Sequence, residues 1–425
     1  MTDWKTIRPP MGDDVPSARL LYGQDVRTSL QGMEPSSVHC VVTSPPYWGL
    51  RSYLDAGDEN KDQEIGSEGT LAAYVENLVD LFRELRRVLR KDGVVWLNLG
   101  SSYAGGGRAG KNPDYWAKHT SFGKADTVVK AGGFGLPSVI PDGLKPKDLI
   151  GEPWRVAFAL QADGWYLRSA APWIRKNVMP ESCTDRPSSS VEYIFLLAHP
   201  DSGGRYYYDI HGHRSPLAGQ ETGTRQRRAT DWFFESVTDI AAGGQDLLLD
   251  EEGDPMAFVV NPKPYAGSHF AVFPPKLVSP CLLLSTSAHG ACASCGAQWR
   301  RLVTREGSVS KASGKTQRRK DQGLATAFSG YEDGSAAPTF TTTGWEPGCD
   351  CSQDKPVRPV VLDPFSGSGT TGMVALSLGL NYVGLDLNES YLPLAEARIL
   401  QTAPPDLKPV AEAEGSVFDM FGSDE

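Results

Sequence analysis

Val38 to Val42 is a short apolar run that stops at Thr43-Ser44-Pro45-Pro46, the pattern of a strand ended by prolines. Downstream, Leu71, Tyr74, Val75, Leu78, Phe82, Leu85 and Leu89 recur at helical spacing, which predicts an amphipathic helix ended by Asp92-Gly93. Val94 to Leu99 then reads as a buried strand and Pro153 to Ala162 as a helix closed by Gly164. Further strands are predicted around Tyr166 and Trp173 and from Glu192 to Leu197. Near the other end, an apolar strand enters at Val360, a helix runs from about Thr371 to Leu378, and Gly379 stops it. A last strand, Tyr382 to Leu385, finishes at Asp386. Strands alternating with helices predict a twisted, largely parallel sheet with helices on both faces.

Three stretches break this pattern. Residues 104–147 contain AGGGRAGKNP with many Gly, Lys and Pro, and are expected to form a long mobile loop. Residues 205–265 are irregular, and residues 306–345 are rich in Gly, Ser, Thr and charge, like a flexible excursion. Composition adds little, with 40% hydrophobic and 22% charged residues, as in an ordinary globular enzyme. There is no apolar run of about 18 residues. The opening MTDWKTIRPP lacks a signal-peptide core, so a cytoplasmic protein without a membrane partner is expected. A net charge of -10 argues against a protein that coats nucleic acid indiscriminately. It leaves room for a local basic cleft, and basic clusters occur at 83–91, 225–228 and 300–320. The first lies on a helix pattern, where it also reads as a solvated face.

The most informative chemistry lies in Val360-Val361-Leu362-Asp363-Pro364-Phe365-Ser366-Gly367-Ser368-Gly369-Thr370-Thr371. A strand here enters a Gly-rich turn that opens a helix. Glycines let a ligand approach the backbone, and a helix N-terminus offers free N–H groups. Asp386, at the end of the next strand, can accept hydrogen bonds from ribose hydroxyls. A Gly-rich turn alone can also be no more than a tight connection. This string matches neither G-x-G-x-x-G nor a P-loop.

A second group follows the first strand, at Ser44-Pro45-Pro46-Tyr47. An exocyclic base amine is a poor nucleophile because its lone pair is delocalised into the ring. Acceptors aimed at its hydrogens favour the tetrahedral nitrogen that attacks. The Ser44 hydroxyl and the Pro45 carbonyl can be two such acceptors, with the prolines fixing their direction. Tyr47 offers a flat face on which a base rotated out of the duplex can stack. In isolation, the same four residues also suit an ordinary loop.

Together these motifs resemble those of an amino-methyltransferase of DNA of the β arrangement, in which the catalytic motif precedes the cofactor motif. Asp363 to Thr371 is similar to the family's D-P-F-x-G-x-G-T-T, and Thr43 to Tyr47 to its T-S-P-P-Y. Gly151 to Arg168 and Trp173 to Leu197 resemble its middle motifs, and His269 to Pro275 the segment before the Gly-rich loop. The resemblance implies a Rossmann-like α/β sheet with circularly permuted motif order and S-adenosylmethionine as methyl donor. It places Asp363, Pro364, Phe365, Gly367, Gly369, Thr370 and Thr371 around the methionine part of the donor, and Asp386 on the ribose. It also places Asp25, in Gly23-Gln24-Asp25, near the adenine and Phe273 beside the cofactor. The expected partner is duplex DNA, and the resemblance admits a cognate restriction nuclease. A serine before Pro-Pro-Tyr, in place of aspartate, points to N4 of cytosine, with N6 of adenine as the alternative. A non-catalytic DNA-binding protein is a rival from another class, but it would need neither motif.

Two segments remain. Between the middle motifs and His269 lies the expected target recognition region, where Arg225, Arg227 and Arg228 can read guanine or neutralise phosphate. A basic surface loop explains any one of them equally. Cys292-x-x-Cys295 and Cys349-x-Cys351 can make a closed tetrahedral structural zinc site. Four unliganded thiols are the alternative, and nearby Arg300 and Arg301 are candidate DNA contacts. The chain thus divides into a catalytic half at 15–205 and a recognition region at 206–266. A segment flanking the cofactor site follows at 267–287, and a zinc-binding insertion at 288–357. The cofactor half covers 358–402 and an acidic tail 403–425.

Overall fold

The computed structural model describes residues 4–7, 15–50, 52–54, 57–105, 140–175, 185–186, 189–212, 247–249, 255–259, 274–306, 339–351 and 355–400. Strands in the first half are β1 (Lys5–Ile7), β2 (Ala18–Tyr22), β3 (Val38–Thr43), β4 (Leu89–Leu99), β5 (Tyr166–Ile174) and β6 (Val191–Ala198). Then come β7 (Leu247–Leu249), β8 (Pro255–Val259), β9 (Ala291–Cys292), β10 (Arg300–Glu306), β11 (Thr339–Glu346), β12 (Pro356–Val357), β13 (Val360–Asp363) and β14 (Asn381–Asp386). The helices are α1 (Val26–Gln31), α2 (Leu71–Val88), α3 (Glu152–Ala162), α4 (Pro275–Ser285), α5 (Thr370–Ser377) and α6 (Leu392–Leu400).

Ten strands form one sheet in the order β1-β2-β14-β13-β3-β4-β6-β5-β8-β7. From β2 to β4 every neighbouring pair is parallel. Beyond β4 the sheet is mixed, which corrects the expectation of a largely parallel one. β6 lies between β4 and β5 and runs antiparallel to both. Its apolar run is buried like its neighbours, and burial carries no mark of strand direction. The apolar sets alternate along the central strands. Val95, Leu97 and Leu99 face α1, α2 and α3, whereas Val94 and Trp96 face α4, α5 and α6.

α2 buries Leu71, Tyr74, Leu78, Leu81, Phe82 and Leu85, and Thr70 caps its start by accepting the Ala73 N–H at 3.1 Å. Truncating Phe82 to alanine would cost about 3–5 kcal/mol. Asp92-Gly93 does not end this helix. Leu89 keeps the helical spacing but is extended, at φ -74° and ψ 137°, and β4 runs through both residues. The stretches around Tyr166 and Trp173 prove to be one strand, β5.

The parts of the expected recognition region within the described residues join the body. β7 and β8 extend the sheet beside β5. The Tyr207 N–H donates to the Asp92 carbonyl at 2.8 Å, and the Asp209 N–H to the Leu284 carbonyl at 2.7 Å. The ends of the Gly-rich loop are clasped by a bond from the Lys147 N–H to the Ala104 carbonyl at 2.7 Å. Phe273, Arg225, Arg227, Arg228, residues 106–139 and the tail 403–425 lie outside the described residues. Among the described residues, no helix is long and apolar enough to cross a membrane.

Candidate active site

Because β2, β14, β13 and β3 are parallel, their carboxyl ends meet at one edge, where open α/β sheets bind ligands. β13 delivers the Gly-rich loop there and β3 delivers Ser44 to Tyr47. A cleft of about 840 Å³, open to solvent, lies between them. Pro364, Phe365, Gly367 and Thr370 line one wall, with Asp386 beside them and Ser44 and Pro46 opposite. Asp25 also lines it, while Tyr53, Leu54 and Ile65 form a third wall. The two motifs, 320 residues apart in the chain, share one cavity.

The loop is held from several sides. The Gly367 N–H donates to Asp386 Oδ2 at 2.7 Å and the Asn388 N–H to Oδ1 at 2.9 Å. Burial raises the Asp386 carboxyl to about 7 against these bonds, with the nearby Asp363 adding to the rise. The Tyr22 and Tyr382 hydroxyls donate to Ser366 Oγ at 2.7 and 2.8 Å. Arg398, on α6, donates to the Ser368 carbonyl and Thr370 Oγ1, each at 3.0 Å. Gly369 has φ +76°, and a side chain there would meet Ala395 Cα at 3.2 Å, so only glycine suits both demands.

Asp363, Gly369 and Thr371 stand behind this loop and not on the cleft wall. Asp363 is buried and accepts from Thr43 Oγ1 at 2.8 Å, Thr371 Oγ1 at 2.7 Å and the Phe365 N–H at 3.1 Å. Burial raises it to about 6, and these three bonds limit the rise. It therefore ties β3 to the Gly-rich loop. Asp25 is the N-cap of α1, accepting the Arg27 N–H at 2.8 Å and pairing with the Arg27 guanidinium.

On the other side, the Pro46 carbonyl accepts from the Tyr74 hydroxyl at 3.0 Å. Pro45 is buried at the end of β3. The Tyr47 hydroxyl lies beyond the cleft and donates to Glu192 Oε2 at 2.7 Å. Burial, with Glu192 beside it, holds this phenol well above its ordinary range, and the adjacent Ser44 opposes the shift.

The four cysteines of the insertion come together, their Sγ atoms all within 4.8 Å of one another. Tetrahedral zinc with bonds of about 2.3 Å would separate sulfurs by about 3.8 Å, so the set fits after a small contraction. Burial opposes ionisation of Cys292, but the backbone N–H groups of Cys295 and Ser294 and the neighbouring thiols bring it down to about 7. The cluster is fastened to the main sheet. On β3, His39 Nδ1 accepts the Val360 N–H and Nε2 donates to the Gly296 carbonyl, each at 3.0 Å. Arg301 does not reach outward as expected of a DNA contact. Its guanidinium pairs with Asp209 at 2.7 Å and lies over Trp345, so it holds the β10–β11 hairpin on the body.

Sequence reasoning passed over Tyr22, Thr43, Tyr53, Asn98, Tyr382 and Arg398 as site residues, and placed Glu192 in a strand and a middle motif without giving it a role. Only Asn98 carried a local signal, a lone polar residue in the apolar run VVWLNL.

A family model described as DNA methylase, covering N6 and N4 methyltransferases, matches residues 38–292 and 353–397. The chain is 36% identical over 385 residues to the type II methyltransferase M.SmaI of Serratia marcescens, covering 91% of each. It is 34% identical over 379 residues to M.XycI of Xanthomonas campestris pv. cyanopsidis, covering 89% of this chain and 87% of that one. Among solved structures, the cytosine-N4-specific PvuII DNA methyltransferase aligns with a TM-score of 0.45 and 13% identity, over 95% of this chain and 91% of that one.

Proposed function

The chain belongs to the N6/N4 DNA methylase family, and from that premise we propose that it methylates N4 of cytosine in duplex DNA with S-adenosylmethionine as donor. One observation carries this reading: Ser44 and Pro46 share a cleft with residues 364–368 and Asp386. The residues present fit the donor. Phe365, Leu54 and Ile65 offer apolar contact for a purine, and each Asp386 oxygen keeps a lone pair for a ribose hydroxyl beyond its backbone bond. Bound there, the donor supplies a methyl that is already electrophilic, so no covalent bond to the chain is needed.

The chain's own task is to present the base. The Ser44 hydroxyl and the Pro45 carbonyl accept from the target amine and turn its lone pair toward the donor site. Tyr47 stacks on the base taken out of the duplex. Catalysis is then mainly positioning. The neutral Ser44 hydroxyl, where an aspartate would bring a charge, supports cytosine over adenine. Residues 206–266, with Arg225, Arg227 and Arg228, take the recognition role in this reading. Cys292, Cys295, Cys349 and Cys351 hold a structural zinc, and the four clustered sulfurs support that assignment.

The test is nucleoside mass spectrometry on unmethylated duplex DNA incubated with the purified protein and S-adenosylmethionine. N4-methylcytosine is the expected product. N6-methyladenine would overturn the base assignment, and unmodified DNA would overturn the activity.

A further inference from the structure

A second set of polar groups stands next to the catalytic motif. Ile194, Leu196 and Ala198 on β6, and Val94 and Trp96 on β4, belong to one apolar layer against α4 and α5. Continuing the same alternation, Asn98 on β4 and Glu192 on β6 are polar, and both are buried. A buried carboxylate is costly unless it is paired and hydrogen-bonded. Here Glu192 Oε2 accepts from the Tyr47 hydroxyl at 2.7 Å and from Asn98 Nδ2 at 3.1 Å, while Oε1 lies 3.0 Å from Arg175 Nη1. Gly100 makes the space, since a side chain there would meet Tyr47 Cε2 at 2.7 Å and Glu192 Cδ at 3.2 Å. Leucine or valine at 98 and 192 would suit a purely structural layer better. What the polar set fixes is the hydroxyl end of Tyr47.

The geometry points to Glu192, held by Asn98 and Arg175, as the positioning residue that sets the pose of the Tyr47 ring against the target base. This rests on the methyltransferase reading above. A phenol ring has two side-chain torsions, and anchoring its oxygen to a paired carboxylate restricts both. Glu192 meets the catalytic motif through its bond with the Tyr47 hydroxyl, so its effect on the reaction runs through Tyr47. A displacement of about 1 Å in a reacting group costs on the order of a hundredfold in rate.

The test is a double-mutant cycle with Y47F, which keeps the stacking face and removes the tether, and E192L. Single-turnover methylation by each single variant should fall about 10–100-fold, with donor affinity changed less than about twofold. The double variant should be no slower than the slower single one, because both remove the same contact. E192Q, whose amide oxygen still accepts from the phenol, should recover most of the rate. Wild-type turnover in either Y47F or E192L, or losses that multiply in the double variant, would overturn the proposal. Should E192L fail to fold, Y47F and E192Q decide by the same rate criteria. Wild-type protein that leaves DNA unmodified overturns the methyltransferase reading and this one with it.

Discussion

At the scale of single residues, the proposed function gives Asp386 two purposes that pull on one carboxyl. Its bonds to the Gly367 and Asn388 N–H groups shape the loop, and its remaining lone pairs face the cleft. Burial raises its pKa to about 7. Ribose hydroxyls donate, so the carboxylate is the binding form, and protonation removes acceptor capacity. Affinity for S-adenosylmethionine is therefore expected to rise with pH through about 7 and to weaken below it, by up to about tenfold per unit. Calorimetric titrations from about pH 5.5 to 8.5 measure this, and D386N should lose the pH dependence together with much of the affinity. A flat wild-type profile would remove Asp386 from the ribose site. The same shifts bear on stability. The folded chain holds protons on Asp363 and Asp386 up to about 6 and 7, whereas the unfolded chain releases them near 3.9. These two groups therefore favour the folded state at low pH, and that contribution is lost as pH rises through their folded values. Sequence reasoning gave Asp363 to the cofactor, since position alone cannot reveal a partner such as Thr43, 320 residues away.

At the scale of elements, the cysteine pairs close a long excursion. β9 pairs with β12 and β10 with β11 as two small antiparallel units, of which the first sets Ala291 and Val357 into the main core. In the proposed reading, a metal on the four clustered cysteines fastens both units. Purified protein is expected to hold about one zinc per chain by elemental mass spectrometry. C292S or C349S should lose that metal and lower the thermal midpoint by roughly 5 °C. Full metal loss with an unchanged midpoint would mean that the cluster supports nothing. The His39 bonds to Gly296 and Val360 give the destabilisation a route into β3 and β13. The cysteine spacing was legible because thiolate chemistry needs few residue types. The helix Pro275–Ser285 was not, since Pro280 inside it reads locally as a break.

At the scale of the molecule, the permuted order has a mechanical consequence. β13 and β14, from the last quarter of the chain, lie between β2 and β3 from its first tenth. Val360, Val361, Leu362, Tyr382, Val383 and Leu385 are all fully buried there, so the amino-terminal half without them has an open gap in its core. Residues 1–357 expressed alone are expected to lack a cooperative thermal transition, and co-expression with residues 358–425 to restore it. A cooperative, native-like fragment would contradict the interleaved core.

The sequence by itself determined the two motifs, the permuted order in which they occur, the cysteine pairs and three of the helices that flank the sheet, α2, α3 and α5. Each depends on local spacing: strand into proline, strand into glycine turn, apolar residues every three or four positions. Tertiary structure decided that β6 runs antiparallel, that Asp363 joins the two halves, that Arg301 pairs inward and that Tyr47 leans on Glu192. These are contacts between distant segments. A buried strand is equally apolar in either direction, and a polar residue shows its partner only when the fold brings the two together.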